Sequence, residues 1–245
     1  MATYKSAVLQ RVGMDVLGDV IARDRRSDST ALSAPAVGRR YDYRRFCTSA
    51  WKTGNFLRYL GVRGGAGVAV ADNPLPEPVL TLYGAAALGA VVSFDPPAEV
   101  GSDVRALVVP VADVDAYAFG PETKAVVYGD PPDDPSVSYF ERDVWSENPT
   151  APPDRIEPTD PLLRTAAGTY THGEILGAAR RVIERHGLDA DSVVAVRGSF
   201  ADLTVAVAGL VAPFVVGAAV SIGPDADGTC VVGGAKSDIE TVGIP

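Results

Sequence analysis

Cysteine, histidine and lysine are all scarce here: two, two and four residues respectively in a chain of 245. Cys47 and Cys230 stand far apart, with no Cys-x-x-Cys spacing and no neighbouring histidine. That pattern argues against a disulfide framework and a zinc site, and leaves two buried free thiols as the expectation, with no metal. Long unbroken apolar segments are missing too. The run 203–222 is interrupted by Gly209, Pro213 and Gly217, which predicts a buried helix followed by a buried strand over Ala218–Ile222 rather than a membrane span. No charged segment followed by an apolar stretch opens the sequence, so the expected location is cytoplasmic. Positive charge is in deficit, with 22 basic against 31 acidic residues, a net charge of −9 and a pI near 4.7. Such a surface repels phosphate backbones and anionic lipid, which excludes nucleic acid and membranes as expected partners.

What the chain has is apolar mass. A hydrophobic fraction of 47% in 245 residues is enough for one large α/β domain or two small ones. Arginine greatly outnumbers lysine and aspartate outnumbers glutamate, a bias that fits a salt-adapted or GC-rich source and carries no chemistry of its own.

Val12, Val16, Leu17, Val20 and Ile21 share one face at helical spacing, which predicts an amphipathic helix over 12–25. Thr30–Ser33 and Gly38–Tyr43 read as an antiparallel pair separated by a turn at Pro35. A helix over Tyr43–Leu60 is expected to stop at Gly61 in the left-handed conformation. A strand Val68–Ala71, a helix Pro76–Leu88 and a strand Ala90–Phe94 form a β-α-β unit, followed by short apolar strands Arg105–Val109 and Ala125–Tyr128. Residues 130–161 hold eight prolines, which predicts a connector without regular structure.

The second half repeats the first. Residues 56–70 align without gaps on 182–196, so that helix end, glycine stop and buried strand coincide. Gly89–Pro96 recurs as Gly217–Pro224, and Leu107–Val109 recurs near Cys230–Val232. Two α-β-α-β-β units follow, and strands apolar on both faces imply parallel sheets covered by helices. The fold class expected is therefore α/β, with two pseudo-repeated, doubly wound, mainly parallel lobes. The divisions are an arm of helix and strand over 1–40, a first lobe over 41–130, a connector over 131–161 and a second lobe over 162–245.

Motifs for chemistry are thin. Gly61, Gly64, Gly65 and Gly67 precede a strand, whereas phosphate-binding glycine loops follow one. Gly233 to Ser237 follows a strand and is placed to open a helix, but Cys230 and Ala235 occupy positions where a Walker loop needs glycine. Thr171-His-Gly-Glu174 has the spacing of a capping box. His172 then lies where the helix dipole favours its neutral form, and His186 at the opposite end where the charged form is favoured. Asp95, Asn73, Arg197, Ser199 and the Gly223 turn follow strand ends, where ligands bind in open α/β sheets.

Three stretches carry a resemblance: Gly38–Phe46, Leu60–Val70 and Tyr83–Pro96. In order and spacing they resemble the opening of the AMP-forming acyl-CoA synthetases and related adenylate-forming enzymes. The second half, from Thr171-His172 through Ala178–Val182, Asp191–Ala195 and Ala206–Ala219, is similar to the region after that family's phosphate loop. In the family a Thr-Ser-Gly-Thr-Thr-Gly-x-Pro-Lys-Gly loop precedes the Thr-His pair and holds the ATP phosphates. Here Leu162–Tyr170 stands in its place, with only Thr165 and Gly168 to bind phosphate and Arg164 to contact an anion. The sequence also stops before the family's Tyr-Gly-x-Thr-Glu stretch, ribose-binding aspartate and lysine-bearing small domain.

The resemblance therefore implies a synthetase-like scaffold without a transferable catalytic residue: a pseudoenzyme acting as a binding or interaction module. One alternative is a reduced ATP-dependent ligase subunit completed by a partner chain; another is a nucleotide- or CoA-binding module. Candidate ligand contacts are Asp95, Arg164, Thr165, Gly168, His172, Ser199 and Gly223. No cofactor is expected, since ATP, AMP and CoA lack motif support. The expected partner is a protein or a second copy, with a small acyl or nucleotide ligand as the alternative.

Overall fold

The computed structural model describes residues 13–235 and 237–239, so Val12 and Lys236 lie outside the described residues. The N-terminal segment differs from expectation. In place of one α-helix there are two 3-10 helices, Leu17–Ile21 and Arg23–Arg25, separated by Ala22 with an extended ψ of 160°. Asp19 turns its carboxylate back onto the Asp15 and Val16 N–H groups, tightening the first turn, while Leu17, Val20 and Ile21 are buried as the spacing requires.

Strands β1 (Thr30–Ala34) and β2 (Arg39–Asp42) form the expected antiparallel pair, turned by a 3-10 helix at Pro35–Val37. Helix α1 (Tyr43–Tyr59) is capped by the Asp42 carboxylate and followed by Gly61 at φ +93°, the left-handed stop. Next come β3 (Gly67–Val70), α2 (Pro76–Ala86), β4 (Val91–Phe94), β5 (Val104–Pro110) and β6 (Lys124–Tyr128). The stretch 131–161 is more regular than expected. Its prolines leave 136–148 free, and there β7 (Ser138–Tyr139) and α3 (Phe140–Ser146) form. It is anchored on α1, where Asn55 donates to the Asn148 and Thr150 carbonyls at 3.0 and 2.8 Å.

The second repeat is β8 (Pro161–Thr165), β9 (Gly168–Thr171), α4 (His172–His186), β10 (Val193–Val196), a broken helix, β11 (Ala219–Ile222) and β12 (Cys230–Val232). The broken helix comprises α5 (Leu203–Val205), a π-helical segment Ala206–Val211 and α6 (Ala212–Val216). Pro213 explains the widening: it has no N–H for the Gly209 carbonyl, so the regular ladder cannot pass through it.

Two mixed, mainly parallel sheets result. One has the order β12-β10-β11-β1-β2 and the other β7-β6-β5-β3-β4-β8-β9, each with a single antiparallel pair, β1–β2 and β8–β9. The hairpins are exchanged between the repeats: β1 pairs in parallel with β11, and β8 in parallel with β4. Each half therefore completes the other's sheet, and one large buried cluster runs from Met14 to Ile239, with a smaller one of β3, β5 and β6 residues beside it. Every residue of α2 is buried because it touches β3 and β4 of one sheet and β1 of the other. Beside it Phe46 stacks on Phe214 at 4.6 Å, Tyr83 meets both rings edge-on, and the Tyr83 hydroxyl donates to the Leu210 carbonyl inside the π-helical segment.

Arg25 locks the N-terminal arm to this core by donating to the Phe214 and Val215 carbonyls at 2.8 and 2.9 Å, at the C-terminal end of α6. Arg25→Ala removes two charge-assisted bonds and leaves both carbonyls without that donor. Urea denaturation should show a loss of about 2 kcal/mol.

Candidate functional site

The carboxyl ends of the two sheets meet. Asp72, just past β3, accepts the Phe200 N–H at 2.7 Å from the loop after β10, and the Phe94 and Phe200 rings pack edge-on at 5.6 Å. Asp95 directly follows Phe94 and Ser199 directly precedes Phe200, so each adjoins this joint along the chain. Asp95 is exposed and sits at φ +55°, the one non-glycine residue with positive φ among the described residues. Its N–H donates to the Val70 carbonyl, so the strained turn is part of the β3–β4 closure. Gly223 ends β11 at φ +133° with its N–H on the Val196 carbonyl, beside the same loop.

Polar side chains at these strand ends are occupied with the loops themselves. Ser199 Oγ accepts the Ala201 N–H, Asn73 Oδ1 accepts from the Tyr128 hydroxyl, and Arg197 Nε donates to the Ala226 carbonyl. Arg164 pairs with Asp103 at 2.7 Å on the surface and holds that carboxyl below its usual range. Asp72, which ties the sheets together, is not among the residues the sequence patterns single out. Its place after β3 was the available signal, but the neighbouring Asn73 carries the same one.

Thr165 and Gly168 are the paired ends of the β8–β9 hairpin, opposite one another in register, so only Ala166 and Ala167 form the turn. The Ala167 N–H is itself used, donating to Thr165 Oγ1 at 3.2 Å. This hairpin stands immediately before Thr171-His172, where the resemblance puts a much longer phosphate loop. A run of free backbone N–H groups and a lysine charge are the means of neutralising a triphosphate, and this turn offers neither.

His172 lies away from the strand ends. The capping box holds: Thr171 Oγ1 accepts the Glu174 N–H and Glu174 reaches back to the Thr171 N–H. The imidazole that follows is fully buried, with Nδ1 accepting the Leu17 N–H at 3.0 Å. Burial outweighs the nearby Asp160 and Asp19 carboxylates and drops its pKa to about 4, so the ring is neutral with its proton on Nε2.

The glycine motifs have steric explanations. A side chain at Gly67 would crowd the Asp103 carbonyl and Val104 at 3.2 Å, and Gly233 brings its backbone against Gly198, where a Cβ would meet Gly198 Cα at 2.5 Å. Gly233 and Gly234 both take positive φ and form a turn, not the helix start expected. Cys47 and Cys230 are both buried free thiols, and burial pushes Cys47 up to about 11, which keeps it unreactive.

No family model matches the sequence, and no curated protein sequence matches it. Solved structures do match. A putative long-chain-fatty-acid CoA ligase from Rhodopseudomonas palustris superposes with a TM-score of 0.71 at 21% identity, covering 84% of this chain and 56% of that one. The N-terminal domain of FACL13 from Mycobacterium tuberculosis gives 0.69 at 16% identity, with the same coverage of 84% and 56%. The anthranilate CoA ligase AuaEII, solved with anthranoyl-AMP, gives 0.70 at 20% identity, covering 85% of this chain and 45% of that one. The chain thus spans about half the length of the structures it matches. Over that span, the two exchanged sheets and their shared helical layer are the fold of the N-terminal domain of the AMP-forming acyl-CoA ligases.

Proposed function

We propose that this chain is a non-adenylating, acyl-CoA synthetase-like binding module: it keeps the ligase scaffold and engages a partner protein or a second copy of itself without activating a carboxylic acid. The β8–β9 hairpin carries this reading. It replaces the loop that would hold ATP phosphates with a turn of two alanines, a feature internal to the chain. The reading is further supported by Arg164 and Arg197, the arginines of β8 and of the loop after β10, both of which are committed to protein oxygens.

The expected result is background ATP–pyrophosphate exchange across a panel of aliphatic, aromatic and amino acids. Clear acid-dependent exchange would sink the proposal. Thermal denaturation with millimolar ATP, AMP or CoA separates the remaining possibilities, because a ligand that binds only the native state must raise Tm. No shift is expected; a shift with CoA or a nucleotide would convert the reading to a ligand-binding one.

A further inference from the structure

The seven-stranded sheet is covered unequally on its two sides. Along β3, β5 and β6 alternate residues such as Val68, Val108 and Val126 enter the large core shared with α2, while Ala69, Leu107, Val109 and Val127 form the smaller cluster on the opposite face. Parallel strands apolar on both faces call for helices on each. Here the connections 95–103 and 111–123 contain no α-helix, only the 3-10 segment Val111–Ala116. Val100, Val111, Val114 and Tyr117, which these connections lay over the smaller cluster, stay only partly buried. Beside them Phe119 is 38% exposed, next to Ala118, which bridges to Glu99. The outer side of the sheet therefore has a roof of loops whose apolar side chains remain partly in water.

That roof is acidic. Between 95 and 122 stand six carboxylates against one cation, Arg105. Arg105 pairs with Glu122, and Asp103 pairs with Arg164 on β8. The other four, Asp95, Glu99, Asp113 and Asp115, are exposed and have no ion-pair partner among the described residues. Burial first, then the Asp113 and Asp95 charges, raise the pKa of the Tyr117 hydroxyl, so these carboxylates stand at the edge of the apolar patch. Such a patch, on a chain of net charge −9, is complementary to a surface that is apolar along one side and basic at its borders. A three-turn helix is about 16 Å long, close to the roughly 17 Å of a five-residue strand such as β6, so it can lie on the sheet as the missing layer.

We propose that the loop-covered face of the seven-stranded sheet docks a basic amphipathic helix of another protein, its apolar side on Phe119, Tyr117 and Val114 and its lysines or arginines paired with Asp95, Glu99, Asp113 and Asp115. This rests on the binding-module reading and names its surface and the chemistry of what binds. Pyrophosphate exchange tests that reading and peptide binding tests this surface, so either can fail alone.

Fluorescence polarisation of a labelled Leu/Lys peptide of about 14 residues, patterned as an amphipathic helix, tests it against a scrambled peptide of the same composition and a Leu/Glu peptide of the same pattern. The patterned Leu/Lys peptide should bind saturably, the scrambled one about tenfold more weakly or worse, and the acidic one not at all. Phe119→Ser, and Asp113→Lys combined with Asp115→Lys, should each weaken binding by about tenfold or more. Glu184→Lys combined with Asp191→Lys makes the same charge change elsewhere and should leave affinity unchanged. All five positions are exposed, so the variants keep the core intact. Sedimentation of the protein alone should show no association that Phe119→Ser removes. Absence of saturable binding, equal binding of the scrambled peptide, unchanged affinity in Phe119→Ser, or a dimer dissolved by Phe119→Ser, which would put a second copy on this face, overturns the proposal.

Discussion

Gly84→Ala should destabilise the protein by roughly 3 kcal/mol. A Cβ at Gly84 would lie 2.7 Å from the Gly54 nitrogen and 3.0 Å from the Ala50 carbonyl oxygen and Thr53 Cβ. The first two are backbone atoms of α1, so no side-chain rotation relieves the clash and the two helices must separate. Separation has a second cost, because Tyr83, next to Gly84, holds the ring cluster with Phe46 and Phe214 and the hydroxyl bond to Leu210. Gly54→Ala should behave similarly, since its Cβ would meet the Gly84 carbonyl oxygen at 2.9 Å. Gly177→Ala is the control. It lies within α4, its nearest neighbour is the Arg181 guanidinium at 3.7 Å, and it should stabilise by about 0.5–1 kcal/mol. Urea unfolding of the three variants reads all of these; equal midpoints for Gly84→Ala and wild type would refute the account of close helix contact.

Acidification from pH 6.5 to pH 4 should cost about 3 kcal/mol of stability through His172 alone. Its pKa is about 4 when folded, against an ordinary value of 6.5, so across that window the unfolded chain binds the proton and the folded one does not. The stabilisation is fully present above pH 6.5, is lost as pH falls through the window, and levels off below the folded pKa. A shift of about 2.5 units at about 1.4 kcal/mol per unit sets the size, and full burial means that solvent screening does not reduce it. Protonation also destroys the acceptor for the Leu17 N–H, so the N-terminal arm should loosen first. The carboxyls held below their usual range, Asp103, Asp134 and Asp143, act below this window, and Glu141, raised by burial, changes stability in the opposite direction. Stability measured by urea at stepped pH should lose most of its slope between pH 4 and 6.5 in His172→Gln; an unchanged slope would remove His172 as the cause.

Local chemistry was legible wherever one residue's own backbone or hydrogen bonds decide the outcome. The Thr171 to Glu174 spacing became the capping box, Gly61 and Gly187 took left-handed φ at helix ends, and the glycine and proline breaks in 203–222 became a broken helix and a strand. The arm before β1 departs from a single helix for the same kind of reason: its apolar spacing matches its burial, but Asp19 and the extended Ala22 favour 3-10 turns over a continuous helix. The candidate site was less legible. Of its seven residues, His172 is in the core and Arg164 in a surface pair, while Asp72 shares its only local mark, the end of β3, with Asn73, and the buried Glu77 has none.

By itself the sequence determined most of the strands and helices outside the N-terminal arm and the 131–161 stretch, the repeat, and the absence of a phosphate-binding motif before Thr171, because those depend on residue type and spacing. Only the tertiary structure decided that each repeat lends its hairpin to the other's sheet, since strand pairing between β8 and β4 or β1 and β11 joins segments dozens of residues apart whose apolar patterns are interchangeable. It also decided that the missing motif is a closed two-alanine turn, and that the connections 95–103 and 111–123 leave a partly exposed, acidic apolar face on one sheet. Both follow from three-dimensional register, which brings together groups that no local sequence rule relates.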